Sequence, residues 1–305
     1  MSRVLFVFLD GVGIGEGDPS RNPFLTARLP TLRRLLGGSL PCRATPKIEY
    51  QADRSAVAFP LDACLGLPGL PQSGTGQASL LTGQNAAALF GRHFGPWVPV
   101  SLRPLVRDGS ILRTAQAAGA SVAFANAVPH SWRRRPRLRR IAGPPLAALG
   151  ADLLNRSQTE LAAGEAVSSE IVNEVWQEHW PQARIPAVSA KEAGATLGRI
   201  AGGHDLTFFA HYATDTVGHR GDALACARAL ERVDRFLTGI LDSLPRDHLL
   251  LVASDHGNIE DLEAGHTRNP ALGLLVGPDA PARASEMESL VDVAPALSGW
   301  RSRER

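Results

Sequence analysis

The chain has 305 residues, 44% of them hydrophobic, with 32 lysines and arginines against 30 aspartates and glutamates and a formal net charge of +2. That balance supplies no global field for nucleic acid or a membrane surface, and the length suffices for a full core with room for a smaller unit. Cys42, Cys64 and Cys226 are odd in number and far apart, which argues against a disulfide framework and fits inert buried thiols in a reducing compartment.

The first predicted element is a buried strand over the apolar run 4–9. The run is too short for the core of a signal peptide, Asp10 closes it, and no later stretch approaches a membrane span. A soluble, cytoplasmic protein is expected. Gly11 and Gly13 begin a G-x-G-x-x-G pattern, but Glu16 takes the third glycine's place and Gly17-Asp18-Pro19 opposes a following helix. Asp10 therefore reads as a polar group presented at a strand end, not as part of a dinucleotide fingerprint.

Residues 29–36 fit a short helix with Pro30 in its first turn. A strand is expected at 57–59, and the Gly/Pro-rich 65–71 reads as a rigid loop that delivers Gln72-Ser73-Gly74-Thr75-Gly76-Gln77 to a helical stretch at 78–82. A hydroxyl there is either a helix N-cap, which the segment alone favours, or a nucleophile flanked by small residues at a helix N-terminus. A helix at 111–119 and a strand at 121–125 add one more α/β unit. The basic run 132–140 then changes the character of the chain: it is a solvated face, or a cationic rim over a site. Helical periodicity returns at 153–180, with Trp176 and Trp180. Residues 130–188 are expected to form a small inserted cap between the core segments 1–129 and 189–305.

The α/β pattern resumes with a helix at 190–200 and a strand at 206–210. In HYATDTVGH, which follows, Asp215 and His219 stand four apart and share a helix face. A long amphipathic helix at 223–244 leads into the apolar run 249–253, which stops at Ser254-Asp255-His256-Gly257, and His266 follows ten residues after His256. A strand at 272–276 and a helix at 289–297 close the fold, with 300–305 expected to fray.

Three buried strands thus end in acids or imidazoles: Asp10, Asp215 with His219, and Asp255 with His256. At the carboxyl edge of an open parallel sheet such groups converge. Gathered without a cation, they would leave buried charge unpaired. Two divalent ions add about four positive charges and nearly balance Asp10, Asp215, Asp255 and a deprotonated hydroxyl. The pattern points to a two-metal site for phosphoryl or sulfuryl chemistry, and its N/O donors suit zinc, manganese or iron.

The segments FLDGVGIG, QSGTGQASLLTGQ, TDTVGH and SDHGN with the later GHT resemble, in this order, the alkaline phosphatase superfamily. More narrowly they resemble the branch containing cofactor-independent phosphoglycerate mutase and phosphopentomutase, over about residues 1–125 and 190–298. The resemblance implies an alkaline phosphatase-like three-layer α/β sandwich with a mostly parallel central sheet. It also implies two divalent ions, usually manganese, with zinc or magnesium compatible. Carried over by matching positions, Asp215, His219 and His266 would hold one ion. Asp10, Asp255 and His256 would hold the other, which also contacts Ser73. Ser73 matches the transiently phosphorylated nucleophile, with Gly76 at the glycine three residues on and Thr75 as the fallback. Asn258, His211 and His93 are expected as structural or supporting groups.

Two departures matter. Gln77 stands where the mutase motif has histidine, and the large second domain of the phosphoglycerate mutases is missing. A mutase must keep its intermediate from water while the substrate reorients, which a small cap does less readily. The expected function is therefore two-metal hydrolysis of a small phosphomonoester (or phosphodiester) through a phosphoseryl intermediate. The alternatives are a phosphomutase of that branch and a non-catalytic metal- or phosphate-binding protein on the same fold. A sulfatase is disfavoured: those enzymes carry a modified Cys or Ser in a different motif, and neither Cys42 nor Cys64 lies in the Ser73 context.

Overall fold

The computed structural model describes residues 3–51, 53–134 and 138–298. Its centre is one sheet of β1 (Arg3–Leu9), β2 (Ile48–Gln51), β3 (Ser55–Leu61), β4 (Val122–Phe124), β5 (Leu206–His211), β6 (His248–Ser254) and β7 (Ala271–Val276), in the order β2-β3-β7-β6-β1-β5-β4. Strands β6, β1, β5 and β4 run parallel, whereas β7, β3 and β2 extend the sheet in antiparallel fashion. The expected parallel sheet is thus the half that carries the acidic strand ends. The rest is antiparallel because the 255–270 connection contains no crossover helix, and a parallel neighbour would need one.

Side chains alternate along each strand, so Val4, Phe6 and Phe8 of β1 enter one hydrophobic cluster while Leu5, Val7 and Leu9 enter another. Helices Ser73–Thr82, Arg103–Gly109, Gly143–Gly150 and Leu290–Leu297 cover the first face. Helices Pro30–Leu35, Ala190–Gly202 and Ala223–Ser243 cover the second. Burial on both sides explains why β1, β5 and β6 read as unbroken apolar runs rather than alternating ones. The expected three-layer α/β sandwich is present. Phe6, Phe8, Phe124 and Phe208 fill the first layer, and truncating any one to alanine would cost about 3–5 kcal/mol.

Three local expectations need correction. The helix after the 65–71 loop begins at Ser73, not at 78, so Ser73 is its first residue and Gln72 is the cap. Gly-Thr-Gly is a poor helix former in isolation, but Gly74 packs against the carbonyls of Phe94 and Trp97, where tertiary contact outweighs propensity. Helix occurs in 153–180 only as Gln158–Ala162 and Glu174–His179. The chain between them bridges Asn126 through Val167, and the periodicity reflects a small separate cluster of Leu161, Trp176 and Ile185. Of the three thiols, all free, only Cys226 is buried, while Cys42 and Cys64 are half-buried.

Part of the basic run, 135–137, and the tail 299–305 lie outside the described residues. Within that run, the Arg140 guanidinium lies over the Trp97 ring, 5.1 Å from its centroid. Among the described residues no helix is long and apolar enough to cross a membrane.

Candidate metal centre

Sheet register assembles the centre. Leu9 pairs with His211 on one side and with Ser254 on the other, so Asp10 and Asp255 emerge level with each other at the carboxyl edge. Asp215 follows on the Ala213–Gly218 helix just beyond β5. The Thr214 hydroxyl donates to the Asp10 carbonyl at 2.6 Å, and the Gly11 amide donates to Asp255 Oδ1 at 3.3 Å. Gly11 itself has φ +67°, and a Cβ there would stand 2.6 Å from Asp215 Oδ1. Only glycine lets the chain turn past that carboxylate.

His256 Nε2 is the hub. It lies 3.0 Å from Ser73 Oγ, 3.3 Å from Asp10 Oδ1, 3.8 Å from Asp255 Oδ1 and 4.0 Å from Asp215 Oδ1. A second group adjoins it. His219 Nε2 is 3.4 Å from Asp215 Oδ2 and 3.1 Å from His266 Nε2, which is 3.5 Å from Asp215 Oδ1. The spacing of Asp215 and His219 puts both on one face, as expected. All seven residues singled out in the sequence, Asp10, Ser73, Asp215, His219, Asp255, His256 and His266, therefore meet at one edge of the sheet.

The imidazoles are oriented from behind. A carbonyl oxygen only accepts, so the Nδ1 atoms of His266 and His256, 2.9 Å from the Pro71 carbonyl and 3.3 Å from that of Gly257, carry protons. Each Nε2 is left facing the carboxylates, as a ligand nitrogen must.

The electrostatics show which charge the protein leaves unbalanced. Burial, reinforced by Asp10, pushes the Asp255 carboxyl well above its ordinary range. Burial also raises Asp10, against the opposing pull of the neighbouring His256 imidazole. For His256, burial resists the charge, but Asp255, Asp10 and Asp215 outweigh it and push the imidazole up to about 10. Asp215 goes the other way: burial opposes its ionisation, yet His266, His256, Asn258 and His219 hold it at about 2.

The residues fit divalent ions. Donors about 2.1 Å from one ion stand about 3.0–3.4 Å apart at octahedral or tetrahedral angles, close to the separations above. Asp10 with Asp255 and His256, and Asp215 with His256 and His266, form two triads whose donor atoms lie within 4.8 Å of one another. Asp10 Oδ1 and Asp255 Oδ2 are buried without a hydrogen-bond partner, a costly arrangement that a cation would relieve.

One supporting residue does not stand out in the sequence. Glu260, 1% exposed, accepts from the amides of Gly13 and Asn258, the Thr267 hydroxyl and the Asn269 amide group. It thereby ties the β1 turn to the loop after β6. Asn258 donates to Asp215 Oδ1 at 2.6 Å, so it does support the centre. His211 is turned away, with Nδ1 on the Ser169 carbonyl at 2.6 Å. The Thr75 hydroxyl is engaged with the 94 backbone, accepting from Phe94 N at 3.1 Å, and His93 lies in a neighbouring loop beside an open cavity.

An acid–imidazole centre at the carboxyl edge of a three-layer α/β sheet defines a candidate divalent-metal centre. Residues 180–298, which contain Asp215, His219, Asp255, His256 and His266, match the Metalloenzyme superfamily. The 2,3-bisphosphoglycerate-independent phosphoglycerate mutase of Desulforudis audaxviator is 36% identical over 121 residues, 37% of this chain and 24% of that protein. The match thus spans about a quarter of that relative's length. Among solved structures, the PH0037 protein from Pyrococcus horikoshii shares the fold, with a TM-score of 0.50 and 14% identity over 90% of this chain and 85% of that one. A cold-active alkaline phosphatase from a psychrophilic Shewanella sp. aligns at a TM-score of 0.47 and 11% identity, covering 96% of this chain and 98% of that one.

Proposed function

We propose that this chain is a two-metal-dependent phosphoryl-transfer enzyme that hydrolyses small phosphomonoesters, or phosphodiesters, through a phosphoseryl intermediate on Ser73. The observation that carries the reading is Ser73 Oγ, buried at the first position of its helix and 3.0 Å from His256 Nε2. Binding alone needs no hydroxyl there. Asp215, His219 and His266 would hold one ion; Asp10, Asp255 and His256 would hold the other, with Ser73 beside it. Manganese suits this N/O donor set, as zinc or magnesium also would. When bound, such ions lower the pKa of a neighbouring hydroxyl and neutralise charge on phosphoryl oxygens.

The chain's own part is orientation and proton management. Ser73 Oγ gives up its proton to solvent and attacks phosphorus in line. The Oγ–P bond forms as the ester P–O bond breaks, and the departing oxygen takes up a proton. Water then splits the phosphoseryl ester, releasing phosphate and restoring the hydroxyl. The N-terminus of the Ser73–Thr82 helix points its partial positive charge toward the anion. An open cavity of about 510 Å³ is lined by Gln72, the residue before Ser73, with Arg92, His93 and Phe94. We assign residues 130–188 as an insertion whose Gly143–Gly150 helix packs into the sandwich rather than standing apart as a cap, and the cytoplasm as the compartment.

A phosphomutase is the second reading, favoured by the segment that matches phosphoglycerate mutases. The two separate on one experiment: hydrolysis of an aryl phosphate with and without Mn²⁺, in wild type and Ser73→Ala. Metal-dependent turnover lost in Ser73→Ala supports the hydrolase. Two bound ions without turnover shift the reading to a mutase that needs its own substrate, and turnover unchanged in Ser73→Ala contradicts the mechanism.

A further inference from the structure

We propose that Gln77 is a positioning residue for Asp10: its amide ties down one carboxylate oxygen, presents the other to an ion, and pins that arrangement to the Gly143–Gly150 helix. The inference rests on the metal-dependent reading above. Gln77 follows Ser73 by four residues on the same helix and so shares its face. It is 1% exposed.

Donor logic fixes the orientation of its amide. The Gly143 N–H lies 2.8 Å from one terminal atom of the side chain, and an N–H only donates, so that atom is Oε1. The other is therefore Nε2, 3.2 Å from Asp10 Oδ2. An amide NH₂ only donates, so Oδ2 accepts. Asp10 Oδ1 is left buried without a hydrogen-bond partner, 3.3 Å from His256 Nε2 and on the side of Asp255. A carboxylate held through one oxygen is biased against turning to chelate with both, since the turn would strain the hydrogen bond. Gln77 thus makes Asp10 a one-oxygen donor whose direction is set in advance, which removes part of the ordering cost of ligation.

The choice of an amide matters. A neutral imidazole at 77 offers one donor and one acceptor, but protonation beside Asp10 turns it into a double donor, and the Gly143 amide then loses its acceptor. Glutamine does not titrate and so keeps one donor and one acceptor in place. Close approach is possible because residue 143 has no side chain: a Cβ there would stand 2.7 Å from Gln77 Cβ. The insertion after residue 130 is thereby latched to the metal centre by one side chain.

The test is calorimetric titration of Mn²⁺ into the full chain, wild type against Gln77→Met, with thermal melting of both proteins stripped of metal. Wild type is expected to bind two ions, and Gln77→Met to lose about 10–100-fold affinity at one site while the other changes less than about threefold. Unchanged affinity at both sites overturns the proposal. Equal loss at both, tracking a lower melting temperature, assigns Gln77 a purely structural role and also overturns it. Should Gln77→Met not fold, Gln77→Asn retains an amide too short to reach Asp10 and Gly143 together, and the same one-site loss is expected. A wild-type protein that binds no ion contradicts the metal-dependent reading itself. Two ions in wild type with an unaffected variant contradict only the role of Gln77.

Discussion

The two halves of the metal centre are built from different parts of the fold. Asp255 and His256 hang from the end of β6 beside Asp10, and the Asp255 and His256 side chains are fully buried. Asp215 sits on a short helix that His219 caps, and the His219 side chain is 51% exposed. The charge differs accordingly. In the inner half burial raises Asp255 and Asp10, whereas Asp215, in the outer half, is held at about 2 against burial by His266, His256, Asn258 and His219. The inner half is closed to water and the outer half is open to it.

Substitution at each half is the strongest way to break this contrast. Asp255→Ala should lower metal-dependent hydrolysis by on the order of 10³ or more, a loss of several kcal/mol that excess Mn²⁺ does not recover. His219→Ala should instead raise the Mn²⁺ concentration needed for half-maximal activity by about 10–100-fold, with turnover restored at saturation. Metal titrations of activity distinguish the two, and identical behaviour would mean that the halves are not distinct.

A stability measurement sharpens the same contrast. Glu260 accepts from four donors, two of them amides in the loops that frame the centre. Glu260→Ala leaves them buried and unpaired, at about 3–5 kcal/mol in urea unfolding. A loss below about 1 kcal/mol, the range of an ordinary surface change, would remove Glu260 from the framework.

The smaller of the two stability effects concerns His211, at the end of β5 but outside the centre. Burial outweighs its hydrogen bond to Ser169 and lowers it from 6.5 to about 4. Between those values the unfolded chain binds the extra proton, so stability falls as pH drops from about 6.5 to about 4, by about 3 kcal/mol. His211→Gln, which cannot titrate, should flatten that part of the acid unfolding profile. An unchanged profile would place the proton elsewhere.

How much of this was legible follows burial. The runs at 4–9, 206–210 and 249–253 are apolar because both sheet faces are covered, so Asp10, Asp215, Asp255 and His256 stand out as interruptions. Glu260 does not: an acid in NIEDLEAGH looks like solvated loop, and only the fold turns it inward to meet the β1 turn. Gln77 was visible as a departure from a motif, but its partner Gly143 lies far along the chain with no pattern to announce it. Strand β2 is hidden because its side chains are largely exposed and alternate with nothing. In 153–180 a cluster built around tryptophans imitated the spacing of a longer helix.

The central claim, covalent phosphoryl transfer through Ser73, is tested most directly by acid-quenching the protein during turnover of an aryl phosphate and mapping its peptides by mass spectrometry. The account predicts one phosphoryl group on the peptide containing Ser73, present with Mn²⁺, absent after chelation and absent in Ser73→Ala. Turnover without a phosphorylated peptide, or with the group on Thr75 or any other residue, would contradict it.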